Sequence, residues 1–550
     1  MANELLRNVN VKVQKKSGFD KSHQNLLTTK VGTITPILVD EVIPNESVNL
    51  KVSMSATLPP LASDTFMRCQ LKTEAFFVPT RLLNGAYEEW LTGQNVRTST
   101  GGEFVPVLPV LNLVSASTGC TQPGSLADYL GYKWLVGQGT STGGTISALP
   151  FLAYHKIWDD WYRNPLITKS CFDKMYVSTT SWTTANMKKA KYALDMTYSS
   201  ANNGGKWDLS SSNSDLTLGD GKNLWQLRQR NFGADYFTTA TPDAQNGVAQ
   251  SVSFSIPSVA EGSTGTSNFT IAALRAANSM QQFLERNNIA GNRLVDYVRA
   301  HYGASLNDGI AQRSVLLGSA AFDVYSKGIY QTANGSGTTA TNNPFDGSVG
   351  AQFGSAYASG SDFIIKGFTA NEPGYIFVMT TLVPKVTYST GIRRYLTHYT
   401  EEGSQTDLAS PILQNVGNQP IYRYELNGNI GDSGVFGYTE RFAEFKTMED
   451  ELHGLLRDGQ SLKSFALQRS YNPTQTGISI NSATLEIPTT YLDQVAAVAG
   501  GISGYGVWID SYMDYKVSMP LAQYAVPSLQ DPAYEHGMDI SVQRGGKSLN

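Results

Sequence analysis

Ser47-Val48-Asn49-Leu50-Lys51-Val52-Ser53-Met54-Ser55 alternates without a break, with Val48, Leu50, Val52 and Met54 on one side and Asn49, Lys51 and Ser53 on the other. A period of two marks a β-strand with one buried face, because successive side chains of an extended chain point to opposite sides. Cys69–Phe77 repeats the pattern, setting Leu71, Ala75 and Phe77 against Gln70, Lys72 and Glu74. Val252, Phe254 and Ile256 give a further short case. Phe363–Phe368, Tyr375–Val383, Gly437–Phe445, Ser461–Leu467, Ile478–Ile487 and Tyr515–Met519 are later strand candidates. Most are short and bounded by Gly, Pro, Asn or Ser, which is how a sandwich or barrel is punctuated.

Helical period is confined to a few places. Tyr154, Ile157, Trp158 and Trp161 recur at three-to-four spacing across Tyr154–Tyr162, and Pro165 stops the run. Leu274, Ala277, Met280 and Leu284 share one face of a helix expected over Ala272–Arg286, and a third is expected over Arg293–Tyr302, ending at Gly303. These helices sit between strands and belong to insertions, not to a βαβ repeat. Polar segments rich in Gly, Ser, Thr and Asn fill Thr92–Ser147 (interrupted by the apolar Phe104–Val114), Ser199–Asn223 and Gln331–Ser361. Connections this long in a compact protein are usually functional or mobile. With no internal repeat and no clean boundary, the expectation is a single domain over residues 1–550, a strand scaffold carrying large insertions.

Charged residues make up 16% of the chain, against roughly 25% in an ordinary soluble domain. Glycine numbers 51 and tyrosine 28. Low charge with many aromatics fits either a loop-heavy β protein or one that buries its surface against copies of itself, since interface cores lose charge and gain Tyr and Trp. A net charge of −4 excludes a global polycation, so any nucleic-acid contact must be local. Residues 1–30 form such a basic arm, with Arg7, Lys12, Lys15, Lys16, Lys21 and Lys30 against Glu4 and Asp20. Cys69, Cys120 and Cys171 have neither the number of a disulfide framework nor a CxxC spacing, which points to a reducing cytoplasm. No apolar run approaches the ~18 residues of a membrane span, and no apolar signal core opens the chain, so neither export nor insertion is expected.

Catalytic patterns are weak. The histidines (His23, His155, His301, His398, His453 and His536) are scattered and form no HExxH motif. Gly431-Asp432-Ser433-Gly434 resembles the start of a serine-protease nucleophile loop, but Val435-Phe436 follows where Gly-Pro would be expected, and a surface turn is favoured. His155 and Asp159 stand one helical turn apart, expected as a partly exposed pair flanking the aromatic stripe and not as a general base. Glu449-Asp450-Glu451 reads as a solvated acidic turn. No catalytic, cofactor or metal residues are assigned.

Ordered boxes then carry a resemblance. Ser17-Gly18-Phe19-Asp20-Lys21-Ser22-His23 leads to Pro36-Ile37-Leu38-Val39-Asp40-Glu41-Val42-Ile43-Pro44. Phe76-Phe77-Val78-Pro79-Thr80-Arg81-Leu82-Leu83 follows. After it come Lys156-Ile157-Trp158-Asp159-Asp160-Trp161-Tyr162-Arg163-Asn164-Pro165 and Arg230-Asn231-Phe232-Gly233-Ala234-Asp235-Tyr236-Phe237-Thr238. Leu274-Arg275 through Leu284-Glu285-Arg286, Arg299-Ala300-His301-Tyr302-Gly303, and Gly437-Tyr438-Thr439-Glu440-Arg441-Phe442-Ala443-Glu444-Phe445 complete the series. In this order they resemble the major capsid proteins of the Microviridae, small single-stranded DNA bacteriophages. Arg313-Ser314-Val315-Leu316-Leu317-Gly318 departs from the family's "RPEYLGG"-like segment, keeping the arginine, a leucine and the first glycine.

The resemblance implies a mainly β, eight-stranded antiparallel jelly roll with loop and helical insertions. It implies a structural, non-enzymatic subunit of a T=1 icosahedral shell around circular single-stranded DNA, made in the bacterial host cytoplasm and residing in the virion. Implied partners are other copies of the chain, the packaged DNA, a small basic DNA-binding protein, a scaffolding protein, a pilot protein and a host receptor met by exposed loops. Two expectations concern particular residues. Arg7, Lys12, Lys15 and Lys16 are expected to face the genome, and Tyr154, Trp158, Trp161 and Tyr162 to form a packing or interface element.

Overall fold

The computed structural model describes residues 16–84, 87–92, 96–97, 103–104, 108, 110–112, 123–132, 145–172, 206–208, 218, 220, 222–247, 271–291, 293–309, 311–331, 352–398, 410–474, 477–498 and 500–521. The scaffold strands are β1 (Ser17–Asp20), β2 (His23–Thr29), β3 (Thr35–Val42), β4 (Ser47–Thr57) and β5 (Cys69–Pro79). They continue with β6 (Val315–Gln331), β7 (Gln352–Thr369), β8 (Gly374–Pro384) and β9 (Val507–Met519). Together they form one nine-stranded sheet in the order β1-β9-β4-β7-β6-β5-β8-β3, with β2 also on β9. Every pairing in it is antiparallel. β1 and β2 lie end to end along β9, so the strands occupy the positions of a jelly roll, the expected fold.

The sheet curls because its long strands change partners along their length. β6 pairs with β5 from Val315 to Asp323 and with β7 from Val324 to Gln331. Such transfers, eased by bulges, form the corners between the two layers of a sandwich. A bulge between Leu316 and Gly318 sits on the β5 side. At Gly318 an added Cβ would lie 2.0 Å from the Ile364 carbonyl oxygen, so the corner requires glycine. The remaining seam, β2 against β3, is bridged by side chains. Asn25 Nδ2 donates to the Ile37 carbonyl at 2.8 Å, Lys21 Nζ meets Asp40 at 2.7 Å, and the Tyr515 hydroxyl donates to the same carboxylate at 2.8 Å.

Alternation sorts the side chains. Val48, Leu50, Val52, Met54 and Ala56 of β4 point into the barrel, as do Ile509, Met513, Tyr515 and Val517 of β9. Burying each such side chain stabilises by roughly 1.5–3 kcal/mol. β8 is buried along its whole length, because it separates two cores. Ile376, Val378 and Leu382 face the barrel, while Tyr375, Phe377 and Met379 face a second core built on the helix α1 (Leu149–Ile157). α1 continues as a π turn over Trp158–Tyr162. Beyond it stand α2 (Ile271–Ala290) and α3 (Leu294–Tyr302), the latter ended by Gly303 at φ 65°.

Several expected elements differ. Ser461–Leu467 is no strand; its Leu462–Phe465 part winds into a 3₁₀ turn whose Phe465 carbonyl accepts from the Phe66 N–H at 2.7 Å. Ile478–Ile487 alternates in burial only at its two ends, because a capping box between Asn481 and Thr484 starts a helical turn at Ser482–Leu485. Gly437–Phe445 begins as a strand over Val435–Thr439, then Phe442 at φ 64° turns it into a 3₁₀ turn. Residues 352–361 of the polar segment Gln331–Ser361 are strand: Ser359, Gly360 and Ser361 pair with β4, and at Gly360 an added Cβ would strike the Phe322 ring. Val252–Ile256, Cys120 and most of the other polar segments lie outside the described residues.

Gly318→Ala is therefore expected to destabilise by about 1–3 kcal/mol through overpacking at the corner, measured as a lowered thermal midpoint; an unchanged midpoint would contradict the corner geometry.

Candidate assembly surfaces

α1 is held between barrel and insertions by charges that the apolar pattern does not announce. Leu152, Tyr154 and Ile157 are fully buried, and Trp158 nearly so, under β5 and β8. The Tyr154 hydroxyl donates to the Ile34 carbonyl and accepts from the Arg228 backbone N–H, both at 2.8 Å. The Arg228 side chain, 0% exposed, forms a two-pronged ion pair with Asp220. Its Nε donates to His155 Nδ1 at 3.0 Å, so the other ring nitrogen carries the proton given to the Leu224 carbonyl at 2.6 Å. Burial first, then the Arg228 charge, holds the His155 pKa well below its usual value. His155 is a neutral bridging group.

His155 and Asp159 therefore do not form the partly exposed pair expected from their spacing. Both are buried, and Asp159 pairs with Arg163 at 2.8 Å and accepts from the Cys171 backbone N–H at 3.3 Å. His155 turns to partners from distant sequence, while Asp159 takes the charge one turn further on, because a buried charge needs a close, well-directed counter-group. The neighbouring Asp160 follows the same rule. Asp160 takes Lys156 at 2.9 Å, along with the Ser314 amide and hydroxyl at 2.8 and 3.0 Å. Three aromatic rings of this segment are each capped by an arginine: Trp158 by Arg228 at 4.5 Å, Trp161 by Arg313 at 4.1 Å and Tyr162 by Arg230 at 5.1 Å. Arg230 also grips Glu74 of β5 bidentately, at 2.7 and 2.9 Å. Tyr154, Trp158, Trp161 and Tyr162 thus pack within the chain, with Trp161 and Tyr162 half-buried.

Other sites look outward. Lys16 is exposed, its Nζ 3.0 Å from Ser47 Oγ, while Arg7, Lys12 and Lys15 lie outside the described residues. The outer face of the sheet exposes Tyr325, Phe363, Trp508 and Tyr512, and α2 exposes Ile271, Leu274 and Met280. Asp432 holds the Gly431–Gly434 turn by accepting from Asn427 at 3.1 Å, with Ser433 in solvent. Of the acidic turn, Glu451 pairs with Arg393 at 2.6 Å and Asp450 with Lys385 at 2.6 Å. A 710 Å³ crevice beside them includes Glu425 and Glu444, which share the buried Arg394 at 3.7 Å each. Burial outweighs that shared guanidinium and raises the Glu425 pKa to about 7. Among the described residues no His/Cys/Asp/Glu group is arranged to hold a metal, and no helix is long and apolar enough to cross a membrane.

The family model described as "Capsid protein (F protein)" matches residues 8–529. The chain belongs to the phage capsid F-protein family. Among its relatives, the capsid protein VP1 of Bdellovibrio phage phiMH2K is 24% identical over 549 residues, covering 93% of this chain and 95% of the relative. Capsid protein VP1 of Chlamydia phage 1 is 24% identical over 614 residues, covering 94% and 96%. Capsid protein VP1 of Spiroplasma virus 4 is 23% identical over 576 residues, covering 92% and 94%. Membership gives the F-protein barrel its context: the insertions between β5 and β6, tied down through α1, are part of the family match from end to end. The capping arginines went unassigned in the sequence because cation–π partners carry no spacing rule; the nearest signal was the Arg228–Arg230 pair beside Trp225.

Two outcomes follow. Trp158→Ala is expected to lower stability by about 3–5 kcal/mol and to reduce particle yield; unchanged folding and yield would contradict the packing role. A carboxyl with a raised folded pKa stabilises fully below its unfolded value and loses that contribution as pH rises through the folded one. Glu425→Gln should therefore raise the thermal midpoint at pH 8, and the gain should vanish near pH 4.5. An equal shift at both pH values would contradict it.

Proposed function

We propose that this chain is the major capsid subunit of a small single-stranded DNA bacteriophage. It self-assembles into a T=1 icosahedral shell around a circular genome and does no chemistry of its own. The observation that carries this reading is the F-protein family match over residues 8–529 on a jelly-roll strand order. A jelly roll leaves edges and exposed aromatic faces that neighbouring copies protect. The single capsid domain with its basic arm, synthesis in the bacterial cytoplasm and residence in the virion belong to this reading. So do a scaffolding protein, a small basic DNA-binding protein, a pilot protein and a host receptor met by exposed loops.

The basic arm is the proposed genome contact. Arg7, Lys12, Lys15 and Lys16 would neutralise phosphates without reading sequence; of these the structure describes Lys16, exposed beside Ser47 where β1 starts.

The expressed chain, together with its phage's co-encoded assembly proteins, should yield a fast-sedimenting fraction of uniform small shells by electron microscopy; a soluble monomer with hydrolytic activity and no shells would overturn the reading. Replacing Arg7, Lys12, Lys15 and Lys16 by glutamine should reduce the salt dependence of DNA retention by about 0.7 in log–log slope for each phosphate no longer neutralised. An unchanged slope would remove the arm from the genome contact.

A further inference from the structure

α2 stands out because, among the described residues, the apolar side chains of its N-terminal half are exposed. Its C-terminal half is anchored: Asn288 is buried and donates to Thr241 Oγ1 at 2.9 Å, and Phe283 packs on His301 of α3 at 4.9 Å. The N-terminal half is solvated, with Ile271 69% and Leu274 52% exposed. A helix in a folded protein gains most of its stability from packing an apolar face.

The stripe that α2 presents is self-complementary. Ile271, Arg275, Asn278, Gln282, Glu285 and Ile289 follow one another at intervals alternating between four and three residues, the spacing of a helix–helix seam. The order can be read from either end: isoleucine, a charge, an amide, an amide, the opposite charge, isoleucine. Turned antiparallel on itself, the stripe sets Ile271 against Ile289, Arg275 against Glu285 and Asn278 against Gln282. Within one chain Arg275 and Glu285 are about 15 Å apart along the axis, too far to pair. The stripe's C-terminal half also lines an open groove of 700 Å³, walled by Gln414, Gly417 and Glu440. Arg286 and Arg441 line the same groove and Glu440 holds Lys446 at 3.0 Å, so Glu285, bonded to Gln281 at 2.8 Å, is the carboxylate that would receive an arginine. A stripe carrying both signs of charge suits another protein copy better than a polyanion.

We infer that α2 pairs antiparallel with α2 of a second copy across a two-fold axis, the free N-terminal half of each lying in the groove of the other and Arg275 of each meeting Glu285 of the other. The contact is isologous, so one surface serves both partners. It rests on the capsid reading above and supplies one of the contacts that reading requires.

The test uses the full chain with its phage's assembly proteins. Arg275→Glu and Glu285→Arg, made separately, place like charges face to face and should each lower particle yield by about tenfold or more, while the subunit keeps its circular dichroism and thermal midpoint. The double exchange restores opposite charges across the axis and should return yield to that of the wild type. Normal particles from the single variants would overturn the pairing and leave the capsid reading standing. A double variant as defective as the singles would also overturn it and assign the face to another partner. No particles from the wild-type chain would sink both. Should a single variant fail to fold, particles co-assembled from Asn278→Cys and Gln282→Cys subunits and treated with a short bismaleimide should give covalent dimers; their absence would overturn the pairing.

Discussion

The fully buried Arg228 guanidinium constrains everything around it. A charge removed from water is tolerated only where counter-charge and hydrogen bonds replace its hydration. Here Asp220, His155 and the Trp158 ring surround it. Those partners come from the insertion and from α1, and Arg228 reaches the barrel through its backbone. Its N–H meets the Tyr154 hydroxyl, and its carbonyl accepts from Ile34. Removing Asp220 would leave the charge uncompensated, and the insertion is joined to the barrel through the Arg228 backbone and through the Arg230–Glu74 ion pair.

This coupling explains how a β scaffold carries so much irregular chain. β8, and β5 over its last five residues, are buried on both faces because α1 covers their outer side. Arg293 then ties the α2–α3 turn to the end of the same helix, donating to the carbonyls of Asp159 and Arg163 at 2.7 and 2.8 Å. The helical hairpin is thus placed by the polar end of α1. A shell subunit needs this arrangement: surface elements that meet neighbours must be fixed relative to a rigid centre, or repeated weak contacts will not close a particle.

Much of the scaffold was legible from residues alone. Ser47–Ser55 and Cys69–Phe77 alternate because each has one face in the barrel, and Tyr375–Val383 is apolar but for the buried Thr380 and Thr381 because it has two buried faces. The same logic misled at Ile478–Ile487, where Ile478, Ile480, Leu485 and Ile487 are all buried but a capping box breaks the ladder. Alternation reports burial, and burial does not require a strand partner. The aromatic stripe was visible, but its capping arginines were not, since Trp161 and Arg313 meet only after the insertion between them has folded back. His155 and Asp159 were placed correctly one turn apart. The covering insertion, which brings Arg228 to His155 and the Cys171 amide to Asp159, reversed the expected exposure.

The central claim is that α1 and the barrel form one cooperative unit joined at Arg228. Native-state hydrogen exchange on the assembled protein tests it most directly, since cooperative units open together and share protection. The account predicts that the amides of Leu152 and Tyr154 exchange in the same slowest class as those of Phe76 and Phe377. Fast exchange across α1, with the barrel strands still protected, would contradict it.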